Sequence, residues 1–168
     1  MNERLSQEKL YKQLYPYYFA LCKKYLPNKH DALTALNNGM LKMFKNIDKY
    51  DCSLGDFFTW GYSIVRYSAL SLIREKISQV QFEELSSQVA DQISSADTLD
   101  DQRKEFLWNL MQQLPLATRT ICMLFYYEEY KIKEIVNELS ISEGTVKWHL
   151  NQGRMTLKLL KEKMYHYE

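Results

Sequence analysis

The stretch Tyr130–Arg154, YKIKEIVNELSISEGTVKWHLNQGR, constrains this chain more than any other. Ile132, Ile135, Val136 and Leu139 fall at i, i+3, i+4 and i+7, one face of a helix. Ile141 breaks that phase, and Ser142 can cap a new helix by accepting a free backbone N–H of its first turn. Val146, Leu150, Leu157, Leu160 and Met164 then recur at helical spacing, with Gly153 filling the gap. Two short helices across so tight a turn make a helix-turn-helix. The opposite face of the second helix carries Lys147, Trp148, Asn151, Gln152 and Arg154, side chains that hydrogen-bond base edges or phosphates, or that stack. A merely solvated amphipathic helix is the competing reading. Against it stand the shortness of the turn and the charge of the second helix, where Lys147, Arg154, Lys158, Lys161 and Lys163 face the single later acid Glu162.

The rest of the chain is consistent with an all-α protein. It has 168 residues, 46% of them hydrophobic, with 5 Gly and 3 Pro, too few for a turn-rich β-fold and apolar enough for a core. The net charge of +1 conceals an uneven distribution. Residues 1–76 hold 12 Lys/Arg and 7 Asp/Glu; residues 77–102 hold 6 acids and no Lys or Arg; residues 103–168 hold 10 Lys/Arg and 8 Asp/Glu. The acidic strip is also where apolar periodicity fades into SQVQFEELSSQVADQISSADTLDD. The pattern predicts two small helical domains, 1–78 and 103–168, joined by a flexible acidic linker over 79–102.

In the first domain, a helix is expected over Gln7–Leu26, with Leu10, Leu14, Tyr18, Leu21 and Tyr25 on one side and Pro16 kinking it or marking a restart. A second runs from Asp31, its expected cap, to Ile47, with Leu33, Leu36, Met40, Met43, Phe44 and Ile47 as its buried stripe. A turn over Lys49–Asp56 precedes a third helix, Asp56–Lys76. There Phe57, Phe58, Trp60, Tyr62 and Tyr67 interleave with Arg66, Arg74 and Lys76. Aromatics among cations suit unpaired bases, which stack on rings while cations hold phosphates. The same aromatics can equally be core. The second domain opens with a helix near Arg103–Gln113, and Pro115 starts the next.

Enzyme chemistry has no residue support. His30, His149 and His166 stand apart from any Cys or acid pair, and there is no phosphate-binding Gly loop or nucleophile elbow. No catalytic residue, metal site, cofactor or small-molecule substrate is expected. Cys22, Cys52 and Cys122 are widely spaced and read as buried or half-buried thiols in a reducing compartment. The charged amino terminus lacks a signal-peptide core, and no apolar run approaches the ~18 residues of a membrane span. A cytoplasmic protein without direct membrane insertion is expected.

Taken together, the blocks DALTALNNGMLKMFKNIDKYD, GDFFTWGYSIVR and LPLATRTICMLFYYEEYKIKEIVNELSISEGTVKWHLNQGRMTLKLL resemble bacterial RNA polymerase sigma factors of the extracytoplasmic-function group. The resemblance covers nearly the whole chain, and ISEGTVK is its most specific part. It implies a subunit that binds core RNA polymerase and promoter DNA and directs recognition, melting and initiation. The first domain would dock on the polymerase through Asp31, Thr34, Asn37, Asn38 and Leu41. It would hold the unpaired minus-ten strand with Tyr50, Ser53, Leu54, Gly55, Asp56, Trp60, Arg66 and Tyr67, one base being captured outside the stack. The second would read the minus-thirty-five duplex, with Lys147, Trp148, Asn151 and Gln152 at bases and Thr145, His149 and Arg154 at phosphates. The acidic linker would thread toward the polymerase channel that carries RNA. An anti-sigma factor is a further partner the resemblance allows.

The chain departs from the family at Leu33, Thr34, Asn37 and Asn38, where acids or Gln are common, and at Tyr67 and Ser71, where Asn and Asp are usual. Trp148 is large for a base-reading position and suits a thymine methyl or the DNA backbone. Two other classes stay open on residues alone. One is a dimeric helix-turn-helix regulator acting on duplex operators without polymerase, with MTLKLLKEKM as its only candidate seam. The other is a helical interaction protein that has lost DNA binding.

Overall fold

Why the first three helices pack as they do follows from small residues placed opposite large ones. In the computed structural model, which describes residues 2–80, 106 and 108–165, all regular structure in the described residues is helical. The chain divides into two units, Met1–Lys76 and Ile77–Glu168. Residues 81–102 of the expected acidic linker, and 103–105 of the expected following helix, lie outside the described residues, whereas 79 and 80 belong to a helix.

Helix α1 spans Asn2–Tyr25 and is assigned without interruption through Pro16, so the expected restart is not there. Proline removes one backbone hydrogen bond and crowds the preceding turn, at a cost of about 3 kcal/mol. Pro16 is itself exposed, and the burial of Leu14, Tyr18, Leu21 and Tyr25 on one stripe outweighs that cost. Helix α2 spans Lys29–Lys45. Its cap is Asn28 and not the expected Asp31: the Asn28 side chain accepts from the His30 and Asp31 amides. Asp31 sits in the first turn instead, where a negative charge also complements the helix dipole, and pairs with Lys76 Nζ at 2.9 Å. The buried stripe of α2 is Ala32, Ala35, Leu36, Gly39, Met40 and Met43; Leu33 and Phe44 are half-buried. Ile47 is not in α2 but in a 3-10 turn, Ile47–Lys49, and is exposed.

Helix α3 spans Phe57–Val80. Gly39 lets α2 and α3 touch at backbone range, since a Cβ there would stand 2.8 Å from Val65 Cα. Gly61 instead leaves room for side chains, the Tyr18 hydroxyl and the Met43 sulfur. The Tyr18 hydroxyl donates to the Phe58 carbonyl at 2.9 Å, fixing the start of α3 to α1. These approaches leave Val65, Ala69, Leu70 and Ile73 fully buried or nearly so.

In the second unit, helical residues 108–112 (α4) lead through Pro115 into α5, Leu116–Cys122. A π-helical turn, Met123–Tyr127, follows; Glu128 N–H reaches back to the Met123 carbonyl, and Glu129 ends the turn at φ 58°. Helix α6 spans Ile132–Leu139, its first turn closed by the Lys131 N–H donating to Glu134 Oε2 at 2.7 Å. Ser140, in the left-handed conformation at φ 54°, ends α6. Helix α7 spans Glu143–Tyr165. Ser142 caps α7 as expected, its Oγ accepting from the Thr145 N–H at 3.0 Å. Ile135, Leu139, Val146 and Leu150 close the core between α6 and α7, and Gly153 lets α7 lie directly on Cys122 of α5. Arg119, absent from the expected core, is 2% exposed; its Nη1 donates to Gln112 Oε1 at 2.9 Å and ties α5 to α4. No described helix is long and apolar enough to cross a membrane, and the described residues hold no cluster of metal-ligating side chains.

Two of the cysteines match the expected packing role. Burial pushes the Cys22 thiol up to about 12 and Cys122 up to about 11, so both stay protonated. Cys52 differs: it is exposed, because it lies in the loop after the 3-10 turn, outside the reach of the helical core.

Candidate nucleic-acid interface

Helix α7 carries its polar residues on the side away from the core. Lys147, Trp148, Asn151 and Arg154 are all exposed, with Trp148 at 56%, and Gln152 is half-buried. Several of these side chains are already held. Lys147 Nζ pairs with Glu143 one turn back at 2.6 Å, and that contact holds the Glu143 carboxyl below its ordinary range. Arg154 Nε donates to the Tyr126 hydroxyl at 2.6 Å. Tyr126 stands on the π-helical turn, so this irregularity delivers the ring that orients the guanidinium. Trp148 packs edge-on against the His149 ring at 4.8 Å between centroids.

Thr145 and His149 are likewise engaged within the unit. Thr145 Oγ1 shares a hydrogen bond with Ser142 Oγ at 2.8 Å. His149 Nδ1 is 2.9 Å from Thr118 Oγ1; burial holds its pKa below the ordinary histidine value. Its visible role is to brace α7 on α5.

The loop before α3 forms a second, aromatic surface. Tyr50, Phe57 and Trp60 pack together with ring centroids 5.2 to 5.5 Å apart. The Tyr50 hydroxyl donates to the Gly55 carbonyl at 3.0 Å and closes the loop. Gly55 takes φ 153°, a conformation that L side chains rarely adopt, although nothing lies within 4 Å of where a Cβ would stand; backbone and not space demands glycine there. Asp51 Oδ1 accepts from the Ser53 N–H at 2.8 Å. Asp56 Oδ1 accepts from the Thr59 N–H at 2.9 Å and Oδ2 from its hydroxyl at 2.6 Å, capping α3 and holding the Asp56 carboxyl below its ordinary range. Leu54 is left 88% exposed at the loop tip. Arg66 is half-buried and Tyr67 exposed, both nearly three turns along α3 from that loop.

On α2, Asn37, Asn38 and Leu41 form an exposed strip with the half-buried Thr34. Asn37 Oδ1 accepts from the Tyr11 hydroxyl at 2.9 Å. Asp31, engaged with Lys76, stands apart from that strip, in the first turn of the helix.

Residues 10–77 match the family described as Sigma-70 region 2, and residues 105–157 match Sigma-70, region 4. The chain is 30% identical to "ECF RNA polymerase sigma factor SigW" of Bacillus subtilis (strain 168) over 154 residues, covering 83% of this chain and 80% of that protein. The chain belongs to the ECF RNA polymerase sigma factors. It is therefore a transcription initiation factor, and the reading as a stand-alone dimeric regulator is set aside. SigM of the same organism is 25% identical over 79% of this sigma factor and 81% of its own length. Among solved structures, the sigma factor RpoE, co-crystallised with the anti-sigma factor NepR from Bartonella quintana, aligns at 16% identity and a TM-score of 0.49, over 92% of this chain and 96% of that one.

Sequence reasoning on this sigma factor missed three contributors. Tyr126 gave no signal, because nothing in a linear pattern reports a π-helical turn. Thr118 and Lys42 gave no signal because their partners, His149 and Tyr67, are 31 and 25 residues away.

Proposed function

We propose that this sigma factor uses its two helical units on two different forms of DNA while bound to core RNA polymerase. The second unit, taken as 103–168, inserts α7 into the major groove of the minus-thirty-five element. Lys147, Trp148, Asn151 and Gln152 meet base edges, Arg154 meets a phosphate, and Thr145 and His149 contribute through the capped, braced start of the helix. The first unit, taken as 1–78, holds the unpaired minus-ten strand around Tyr50, Ser53, Leu54, Gly55, Asp56, Trp60, Arg66 and Tyr67. It meets polymerase with Asp31, Thr34, Asn37, Asn38 and Leu41. Residues 79–102 connect the two as an acidic linker. The observation that carries this reading is the outward face of α7, where an exposed Lys, Trp, Asn and Arg stand on a helix capped by Ser142 and fixed to α5.

The chain has no catalytic step of its own; it positions the promoter for a machine that does. It works in the cytoplasm, and an anti-sigma factor that covers these surfaces is the natural antagonist. Opening a duplex costs stacking energy that a chain of this size cannot supply alone, so DNA binding by the free chain is weak and strongly salt-dependent. The test is run-off transcription with purified core enzyme over a genomic promoter library. Initiation that depends on this chain is the expected result, and none at any template would overturn the reading.

A further inference from the structure

At its first turn, α7 offers a groove more than the side chains assigned so far. Glu143 opens the helix, and its carboxylate oxygen lies 2.6 Å from Lys147 Nζ one turn on. Lys147 keeps 60% of its side chain exposed and Glu143 51%. Between them Gly144 is exposed, and a Cβ there would meet only Ser142 Oγ, at 3.7 Å. Neither close packing nor a left-handed backbone calls for glycine at this position. What the missing side chain does is bare the helix between Glu143 and Lys147, so that the first turn can lie close to the floor of a groove. The N-terminal residues of a recognition helix are the ones that reach base edges.

An acid at such a place calls for a reason. A solvated i,i+4 ion pair stabilises a helix only slightly, and a carboxylate that faces DNA is repelled by its phosphates. Contact with Lys147 holds the Glu143 carboxyl below its ordinary range, so it stays ionised and only accepts hydrogen bonds.

We infer that Glu143 and Lys147 together read one G·C base pair of the minus-thirty-five duplex, Lys147 Nζ donating to guanine O6 and N7 while Glu143 accepts from the cytosine N4 amino group. The inference rests on the reading of α7 as the duplex reader, and adds to it a residue and a base-pair identity. Guanine O6 and cytosine N4 are hydrogen-bonded to one another, about 2.9 Å apart. An ammonium and a carboxylate that already touch therefore reach both without separating, and the acid brings no net charge into the groove. Adenine also presents an amino group beside its partner's carbonyl. Its N7 lone pair, however, stands next to that amino group and repels a carboxylate, and the thymine methyl crowds the cation. On cytosine the neighbour of the amino group is an uncharged C–H.

The experiment uses holoenzyme assembled from the full chain and core polymerase. It selects from templates that carry a fixed unpaired bubble and a randomised duplex upstream of it. Wild type should enrich a G·C pair at one upstream position. Glu143→Ala should lower that preference roughly tenfold, with binding to core enzyme and to the bubble unchanged. N4-methylcytosine in the enriched site, which replaces the groove-facing hydrogen, should weaken wild type by a similar factor and leave Glu143→Ala unaffected. A 7-deazaguanine there, which lacks N7, should weaken both proteins alike. The modified bases probe the wild-type chain, so the test stands even if the variant folds poorly. A G·C preference that survives Glu143→Ala, or N4-methylcytosine bound as tightly as cytosine, would reduce the pair to a helix-surface contact and overturn the inference with the α7 reading intact. A Glu143-dependent preference for any other base pair would overturn it too. No enrichment at any upstream position would remove the α7 reading itself.

Discussion

The two candidate DNA surfaces of this sigma factor are built on opposite principles. On α7, hydrogen-bonding side chains stand on a regular helix and several are held before any ligand arrives: Lys147 by Glu143, Arg154 by Tyr126 and His149 by Thr118. Around the loop before α3, the surface is aromatic and the backbone irregular, with Gly55 at φ 153° and Leu54 almost fully exposed. The difference matches what each form of DNA displays. A duplex presents a fixed pattern of donors and acceptors in its groove, so a reader gains from donors fixed in advance. An unpaired strand presents ring faces and a pliable backbone, so stacking area and nearby cations suffice.

That contrast can be broken at several points. Ile135→Ala, at a fully buried position between α6 and α7, should cost about 2–5 kcal/mol in the second unit. Leu36→Ala should cost a similar amount in the first. Urea melts of the full chain, followed by probes in each unit, check whether each loss stays in its own half. If both variants shift both transitions equally, the two surfaces are not carried by independent cores. Asn151→Ala should remove about 1–3 kcal/mol of discrimination between matched and mismatched duplex sites while leaving bubble binding unchanged. Holoenzyme competition binding measures both, and an equal effect on the bubble would erase the division of labour.

Smaller effects sharpen the idea that the duplex reader is set before binding. Ser142→Ala, which removes the cap of α7, should lose about 1 kcal/mol of stability in the second unit. Ser140→Gly should gain up to about 1 kcal/mol, since Ser140 holds a left-handed conformation that glycine adopts without steric cost. Thermal melts read both. The smallest effect belongs to His149. Its folded-state pKa is lowered by burial, so the unfolded chain binds more protons where the two differ, and stability rises with pH. The second unit should therefore weaken as pH falls below the ordinary histidine value and level off once the folded form is also protonated. His149→Gln should flatten that stretch of a stability–pH curve measured at constant ionic strength.

Much of this was legible in the residues, unevenly. The helix-turn-helix could be read because its signals are local: a 3.6-residue period in α6, a phase break at Ile141 and a capping serine. The outward placement of Lys147, Trp148, Asn151 and Arg154 follows from the same period once Val146 and Leu150 point inward. Competition between neighbours was harder to judge. Asn28 caps α2 where Asp31 was expected, because both side chains can accept a free N–H and only the path of the chain selects one. Pro16 was expected to kink α1 or mark a restart; the restart is absent, because the cost of a proline is local whereas the burial that overrides it comes from packing against α2.

What the sequence determined alone is the set of amphipathic helices, the turn of the DNA-reading pair and the family to which the chain belongs. Each is written in spacings of a few residues, where covalent geometry fixes which side chains share a face. Only the tertiary structure decided that Tyr126 orients Arg154, that His149 turns its imidazole to Thr118, that Lys42 lies over Tyr67, and that Gly39 and Gly153 are points of close approach. These contacts join residues far apart in the chain. Their existence depends on how closely two helices can approach, which is set by the small side chains of both partners at once and is written in neither helix alone.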